Sequence, residues 1–163
     1  MTLAYVALGA NLGNPLLTIR AAITALDAIP ASTRLAVSSL YRTAPVGLKH
    51  QPDFINAVAA LETQLAPQEL LDALFAIEAG FGRRRSIRNA PRTLDLDLLL
   101  HGDATLQTPT LTLPHPRMHE RAFVLAPLAE IAPQAVIPGH GTVAQLCAAC
   151  ADQRIERIEL IAA

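Results

Sequence analysis

A short apolar run over residues 3–9, LAYVALG, predicts a β-strand. Asn14 and Pro15 then open a helix. Asn14 can cap it, Pro15 suits its first turn, and the apolar pattern carries it to about Ala28, before Pro30. Two strand-like runs follow, TRLAVSSLYR at 33–42 and DFINAVAALET at 53–63. Between them lies TAPVGLKHQP, with two prolines and a glycine. That is long for a hairpin loop, and loops of this kind tend to carry function. Pro67 opens a second helix, with Leu70, Leu71, Leu74 and Ile77 at helical spacing and Gly80 and Gly82 at its end. An arginine-rich segment leads into a third strand pattern, PRTLDLDLLLHG, from Pro91 to Gly102. The order β-α-β-β-α-β is that of a ferredoxin-like α+β fold. It predicts a mostly antiparallel sheet with the helices packed on one face. Beyond Gly102 the pattern predicts a short hairpin, a helix near 118–131 and a tail containing AVIP and TVAQL.

Asp95 and Asp97 interrupt an otherwise leucine-rich strand. Alternation places both carboxylates on one face and the leucines on the other. Side chains two apart lie roughly 7 Å from each other, and at an effective dielectric near 20 they repel by about 2 kcal/mol. Burial of unpaired charge costs more still. A cation over that face is therefore expected, and two candidates stand. Arg92 or a neighbouring arginine could neutralise the pair. Alternatively Mg²⁺, which takes oxygen ligands and shares them with substrate phosphates, could be held there.

The distribution of charge supports a phosphate-binding role. Lys49 is the only lysine, and five of the twelve arginines (Arg83, Arg84, Arg85, Arg88, Arg92) fall within one ten-residue window. Arginine forks bind phosphate oxygens that a metal leaves uncovered. The net charge of −1 gives no general attraction to nucleic acid or to an anionic membrane. The chain has 163 residues and is 52% hydrophobic, which fits a single globular domain over 1–163. No apolar run reaches the length of a bilayer span, and MTLAYVALG does not read as a signal peptide, so a soluble cytoplasmic protein is expected. Cys147 and Cys150 form CAAC in a helical context with no second cysteine pair. They read as two small apolar residues one turn apart. GANLGN lacks the Gly-Lys-Ser/Thr ending of a P-loop and reads as a strand-to-helix turn. His115 and His119 are spaced i, i+4, but Pro116 intervenes and joint metal ligation is not expected.

APRTLDLDLLLHG closely resembles the signature of the 6-hydroxymethyl-7,8-dihydropterin pyrophosphokinases of folate biosynthesis. ALGANLGNP, SSLYRTAPVG, QPDFINAVAALET and LTLPHPRMHERAFVLAPLAEIAP resemble further segments of that family, in order and over nearly the whole chain. The resemblance implies a ferredoxin-like fold and transfer of the terminal pyrophosphate of ATP to the pterin hydroxymethyl group, with release of AMP. It implies that Asp95 and Asp97 bind two Mg²⁺ ions and that Arg83 and Arg92 are catalytic phosphate contacts. Around ATP it places Glu78, Arg85, Leu98, Thr112, His115 and Arg121. The pterin ring is expected between Phe54 and Phe123, with Asn56 on its edge and Thr43, Pro45, Val46 and Gly47 lining the pocket. Phe54 and Asn56 are two apart on one strand, and a buried asparagine there needs partners that a pterin edge supplies. ATP and the pterin are the expected partners, with no nucleic acid or membrane, and a monomer is expected. The chain departs from the family in having no tryptophan, with Asn89 as the nearest match in a loop one residue short. Phe75, Thr110 and Pro116 stand where other residues are commoner.

Two other functions compete. One is a different Mg²⁺-dependent phosphoryl or nucleotidyl transferase on the same scaffold. The other is a non-enzymatic ferredoxin-like module for ligand sensing or RNA binding. An RNA reader needs exposed strand aromatics and a basic sheet, and here the diagnostic strand is acidic.

Overall fold

The computed structural model describes residues 1–44, 52–82 and 93–159, with only the backbone of Glu159. Strand β1 (Thr2–Ala10) leads to helix α1 (Pro15–Leu26). The helix starts as its sequence dictates: Asn14 Oδ1 accepts from the Leu17 N–H at 3.2 Å, and proline occupies the first turn. The run at 33–42 forms two strands, β2 (Ser32–Val37) and β3 (Leu40–Thr43). The break falls at Ser38, whose hydroxyl accepts from the Val58 N–H at 3.0 Å and donates to the Ser39 carbonyl at 2.7 Å. A side chain there takes over a ladder bond that alternation alone assigns to backbone. Strand β4 (Phe54–Thr63), helix α2 (Pro67–Gly80) and strand β5 (Asp95–His101) complete the expected order.

Among the described residues all the sheet pairings are antiparallel. The sheet runs β3, β4, β1, β5, with β2 also on β4. This is the split βαβ arrangement, with β1 and β4 central. Ala4, Val6 and Leu8 of β1, Ile55, Ala57 and Ala59 of β4, and Leu96 and Leu98 of β5 pack against Ile19, Ile23 and Leu26 of α1 and Leu70 and Leu74 of α2.

The other face differs from the expectation of helices on one side only. After a short hairpin, β6 (Leu106–Gln107) and β7 (Thr112–Leu113), and a 3-10 turn at Met118–Glu120, helix α3 (Ala122–Ile131) lies over that face. A second hairpin, β8 (Val136–Ile137) and β9 (Gly141–Thr142), leads to helix α4 (Val143–Ala149). Met118, Val124, Leu125 and Leu128 join Tyr5, Val58, Leu99 and Leu100 in a second core. The leucines of β5 therefore do not share one face. The register shifts between Tyr5 and Val6, so that Leu100 pairs with Tyr5 while Leu98 pairs with Val6. Leu99 and Leu100 consequently both serve the α3 core, which accounts for three consecutive leucines.

The last strand, β10 (Glu156–Glu159), pairs with β3 and forms a sheet edge. No apolar alternation marks it in the sequence. The C-terminal end of α3 is tied to the same region. Glu130 accepts from the Ser39 N–H and hydroxyl at 2.9 Å each and from the Tyr41 hydroxyl at 2.5 Å. Cys147 and Cys150 are free thiols in the second core, and burial pushes both pKa values up. A raised thiol pKa suits the packing role and opposes a reactive thiolate. Among the described residues no helix is long and apolar enough to cross a membrane.

Candidate active site

Two neighbouring features are built around β5. The first is a flat trough on the α3 side of the sheet. The register places Tyr41 opposite Asn56, Asn56 opposite Gly9, and Gly9 opposite Asp95. In the next row Val58, Ala7 and Asp97 are similarly aligned. Along β1 the residues on this face shrink from Tyr5 to Ala7 to Gly9. Asn56 and Asp95 are thus two strand spacings apart, about 10 Å, with no side chain between them. A Cβ at Gly9 would lie 3.2 Å from Asn56 Oδ1. Alternation puts Phe54 on the same face, half-buried. Asn56 is 7% exposed, and its Nδ2 donates to Thr43 Oγ1 at 2.8 Å. That bond fixes the amide and directs Oδ1 to the Gly9 side. Asn11, also buried, donates to the Pro52 carbonyl at 3.2 Å and ties the end of β1 to the segment entering β4.

Arg121 and Phe123 stand at the start of α3, the helix that packs on this face of the sheet. The Arg121 guanidinium lies 5.4 Å above the Phe123 ring, a cation–π arrangement. Burial and the neighbouring Arg117 charge lower the Arg121 pKa, while Asp97 and Asp95 act in the opposite direction. Arg121 is therefore within electrostatic reach of both carboxylates and remains a cation.

The second feature is a cleft of about 270 Å³ at the β5 edge. Leu71 and Phe75 of α2, Leu96 and Leu98 of β5, and Leu111 give it apolar walls. Thr108, Thr112, His115 and Asp97 supply polar groups. Such a mixture suits a flat heterocycle with a polar extension. Phe75, Thr110 and Pro116, the positions where the sequence departs from commoner residues, all line this cleft. Thr110 also donates to Gln68 Oε1 at 2.8 Å, which holds the β6–β7 hairpin against the start of α2.

The structure therefore brings together Asp97, Leu98, Thr112 and His115 in the cleft, and Asn56, Asp95 and Thr43 in or beside the trough. Pro45, Val46, Gly47, Arg83, Arg85 and Arg92 lie outside the described residues, as does Asn89. Glu78 stands slightly apart. It is 1% exposed, and its Oε2 accepts from the Leu96 N–H at 2.7 Å. That carboxylate closes an outward-facing ladder position on the edge strand. Glu78→Ala is expected to lower unfolding free energy by about 2 kcal/mol, as loss of a charged acceptor from a buried N–H does. Urea denaturation checks this.

His115 Nδ1 accepts from the Arg117 N–H at 3.4 Å, which assigns the proton of the neutral ring to Nε2. Burial first, then the Arg121 and Arg117 charges, outweigh Asp95 and lower its pKa from the usual 6.5. The ring is thus neutral at pH 7. The unfolded chain protonates His115 as pH falls below 6.5, while the folded chain resists. His115 leaves stability unaffected above that value and weakens folding below it. His115→Gln is therefore expected to narrow the gap between melting temperatures at pH 7.5 and pH 5.5. An unchanged gap would contradict the assigned environment.

The family model for 7,8-dihydro-6-hydroxymethylpterin-pyrophosphokinase matches residues 5–133. The chain belongs to this pyrophosphokinase family. It is 51% identical over 154 residues to the 2-amino-4-hydroxy-6-hydroxymethyldihydropteridine pyrophosphokinase of Pseudomonas aeruginosa, covering 94% of this chain and 95% of the relative. It is 40% identical over 136 residues to a folic acid synthesis protein of Schizosaccharomyces pombe, covering 83% of this chain and 19% of that longer one. The crystal structure of Plasmodium falciparum HPPK-DHPS with SDX-DHP shares the fold at a TM-score of 0.69 and 15% identity, over 91% of this chain and 43% of that one. Membership makes the chain a diphosphotransferase with the ferredoxin-like α+β fold.

Sequence reasoning did not assign Gly9 to the site: GANLGN reads as a turn and as part of a family-like segment, with no site residue named in it. The signal was available in the alternation of β1, where every second residue becomes smaller toward the Asp95 end. The Thr43–Asn56 bond carries no such signal, because strand pairing alone brings those side chains together.

Proposed function

We propose that this pyrophosphokinase moves the terminal pyrophosphoryl group of ATP onto the hydroxymethyl group of 6-hydroxymethyl-7,8-dihydropterin. The observation that carries the reading is the position of Asp97. It lines the cleft and also projects from the β5 face that borders the trough. The cleft suits the nucleotide base and the trough suits the pterin, so the triphosphate crosses Asp97 on its way to the acceptor. Gly9 leaves room for the ring, Asn56 Oδ1 accepts from its edge, and Phe54 and Phe123 supply apolar faces for stacking.

The pair Asp95 and Asp97 fits Mg²⁺. Both are hard oxygen donors on one face, half-buried, and paired across β1 with the small residues Gly9 and Ala7. Two carboxylates alone leave most coordination positions for phosphate oxygens and water, the usual arrangement for Mg²⁺. These residues would hold two ions, which when bound neutralise charge on the triphosphate. Arg121 contributes a fixed positive charge beside the same oxygens, and neutral His115 offers Nε2–H as a donor. By resemblance, Arg83 and Arg92 oppose charge building on the transferred group, and Arg85 makes a further ATP contact. The acceptor hydroxyl gives up its proton to solvent as its oxygen bonds to the β-phosphorus, the bond from that phosphorus to the α,β-bridging oxygen breaks, and AMP leaves carrying that oxygen.

Titration with α,β-methylene ATP tests the metal assignment. Binding is expected to need Mg²⁺ in the wild type and to lose that dependence in Asp95→Asn. Equal affinity with and without the metal would overturn it.

A further inference from the structure

The family match ends at residue 133, yet the segment beyond it reaches back to the site through one side chain. Gln153 lies in the turn after α4, where its own N–H donates to the Cys150 carbonyl at 3.0 Å. Its Nε2 donates to the Glu120 carbonyl at 2.8 Å, and its Oε1 accepts from the Ala122 N–H at 2.9 Å. These two backbone groups flank Arg121. The Ala122 N–H belongs to the first turn of α3 and has no acceptor within the helix. Arg121 occupies the N-cap position in an extended conformation, and its side chain does not cap. Gln153 caps the helix in its place, from a distant part of the chain.

A guanidinium has no acceptor and cannot cap, so the acceptor for the Ala122 N–H must come from elsewhere in the chain. We propose that Gln153 is a positioning residue for Arg121: its amide brackets the backbone at Glu120 and Ala122 and thereby holds the Arg121 guanidinium above Phe123. The proposal rests on the reading of Arg121 as an ATP contact. Glutamine is well matched to the task, because a primary amide presents one donor and one acceptor side by side. Glutamate at 153 would keep the acceptor for Ala122 but turn a carboxylate oxygen toward the Glu120 carbonyl.

A double-mutant cycle separates positioning from general support of the fold. Gln153→Ala is expected to lower kcat/KM for ATP about tenfold, below the roughly hundredfold that a 1 Å misplacement of a contact can cost. In an Arg121→Ala background the same substitution is expected to change kcat/KM by less than about twofold. Gln153→Met, which fills similar space without the two hydrogen bonds, should behave like alanine and guards against a variant that does not fold. A similar loss in both backgrounds, or none in either, would overturn the proposal. The same cycle read through α,β-methylene ATP affinity keeps this test apart from the activity. Wild-type protein that converts no pterin would sink the proposed reaction and leave the cycle readable.

Discussion

Asp97→Ala is expected to reduce pterin-dependent AMP formation by about a thousandfold or more, the scale of losing a principal charge-stabilising group, with the fold intact. The carboxylate is half-buried on the polar face of β5 and takes no part in either apolar core. Its neighbour two residues away carries the same charge, so its removal also relieves a repulsion. Packing of β5 rests on Leu96, Leu98, Leu99 and Leu100, which alanine at 97 does not touch. A melting temperature close to wild type combined with lost turnover supports the metal-holding role. Turnover within tenfold of wild type would refute it.

Gly9→Val tests the acceptor side. Gly9 is absent from the positive-φ residues, so its backbone admits any side chain, and the effect falls on the space above it. The first added carbon already meets Asn56 Oδ1 at 3.2 Å, and the branches of valine extend into the trough. The KM for the pterin is expected to rise about a hundredfold, in line with loss of a well-oriented ring contact and its hydrogen bond. Affinity for α,β-methylene ATP should stay within about threefold, because the cleft lies on the other side of β5. An unchanged pterin KM would remove the trough from the pterin site.

Much of this architecture could be read from the sequence because it depends on local pattern. The cap at Asn14, the helical leucines of α2 and the alternation of β1 and β4 each act over a few residues. The shared face of Asp95 and Asp97 was legible for the same reason, since strand alternation acts over two residues. The parts that were not legible depend on contacts between distant segments. The break between β2 and β3 needs the Ser38 hydroxyl to meet Val58. The second helical layer uses the register shift at Tyr5 and Val6, which turns Leu100 to join Leu99 on the α3 side. Strand β10 shows no apolar alternation, because it lies at an edge and presents charged residues to solvent. Gln153 and Glu130 are ordinary polar residues in sequence, and only the fold reveals that each satisfies backbone groups on a distant element. The cleft stood between these cases. Resemblance places Leu98, Thr112 and His115 around ATP and Phe75 near its adenine, whereas Thr110 stands in the sequence only as a departure. The structure places all of them around one cavity.

The most direct test of the central claim is the nucleotide product. Wild-type protein would be incubated with ATP, Mg²⁺ and 6-hydroxymethyl-7,8-dihydropterin, and AMP and ADP resolved over time. Attack at the β-phosphorus predicts AMP formed in step with pterin diphosphate and only when the pterin is present. ADP in place of AMP, or AMP formed equally without the pterin, would contradict it.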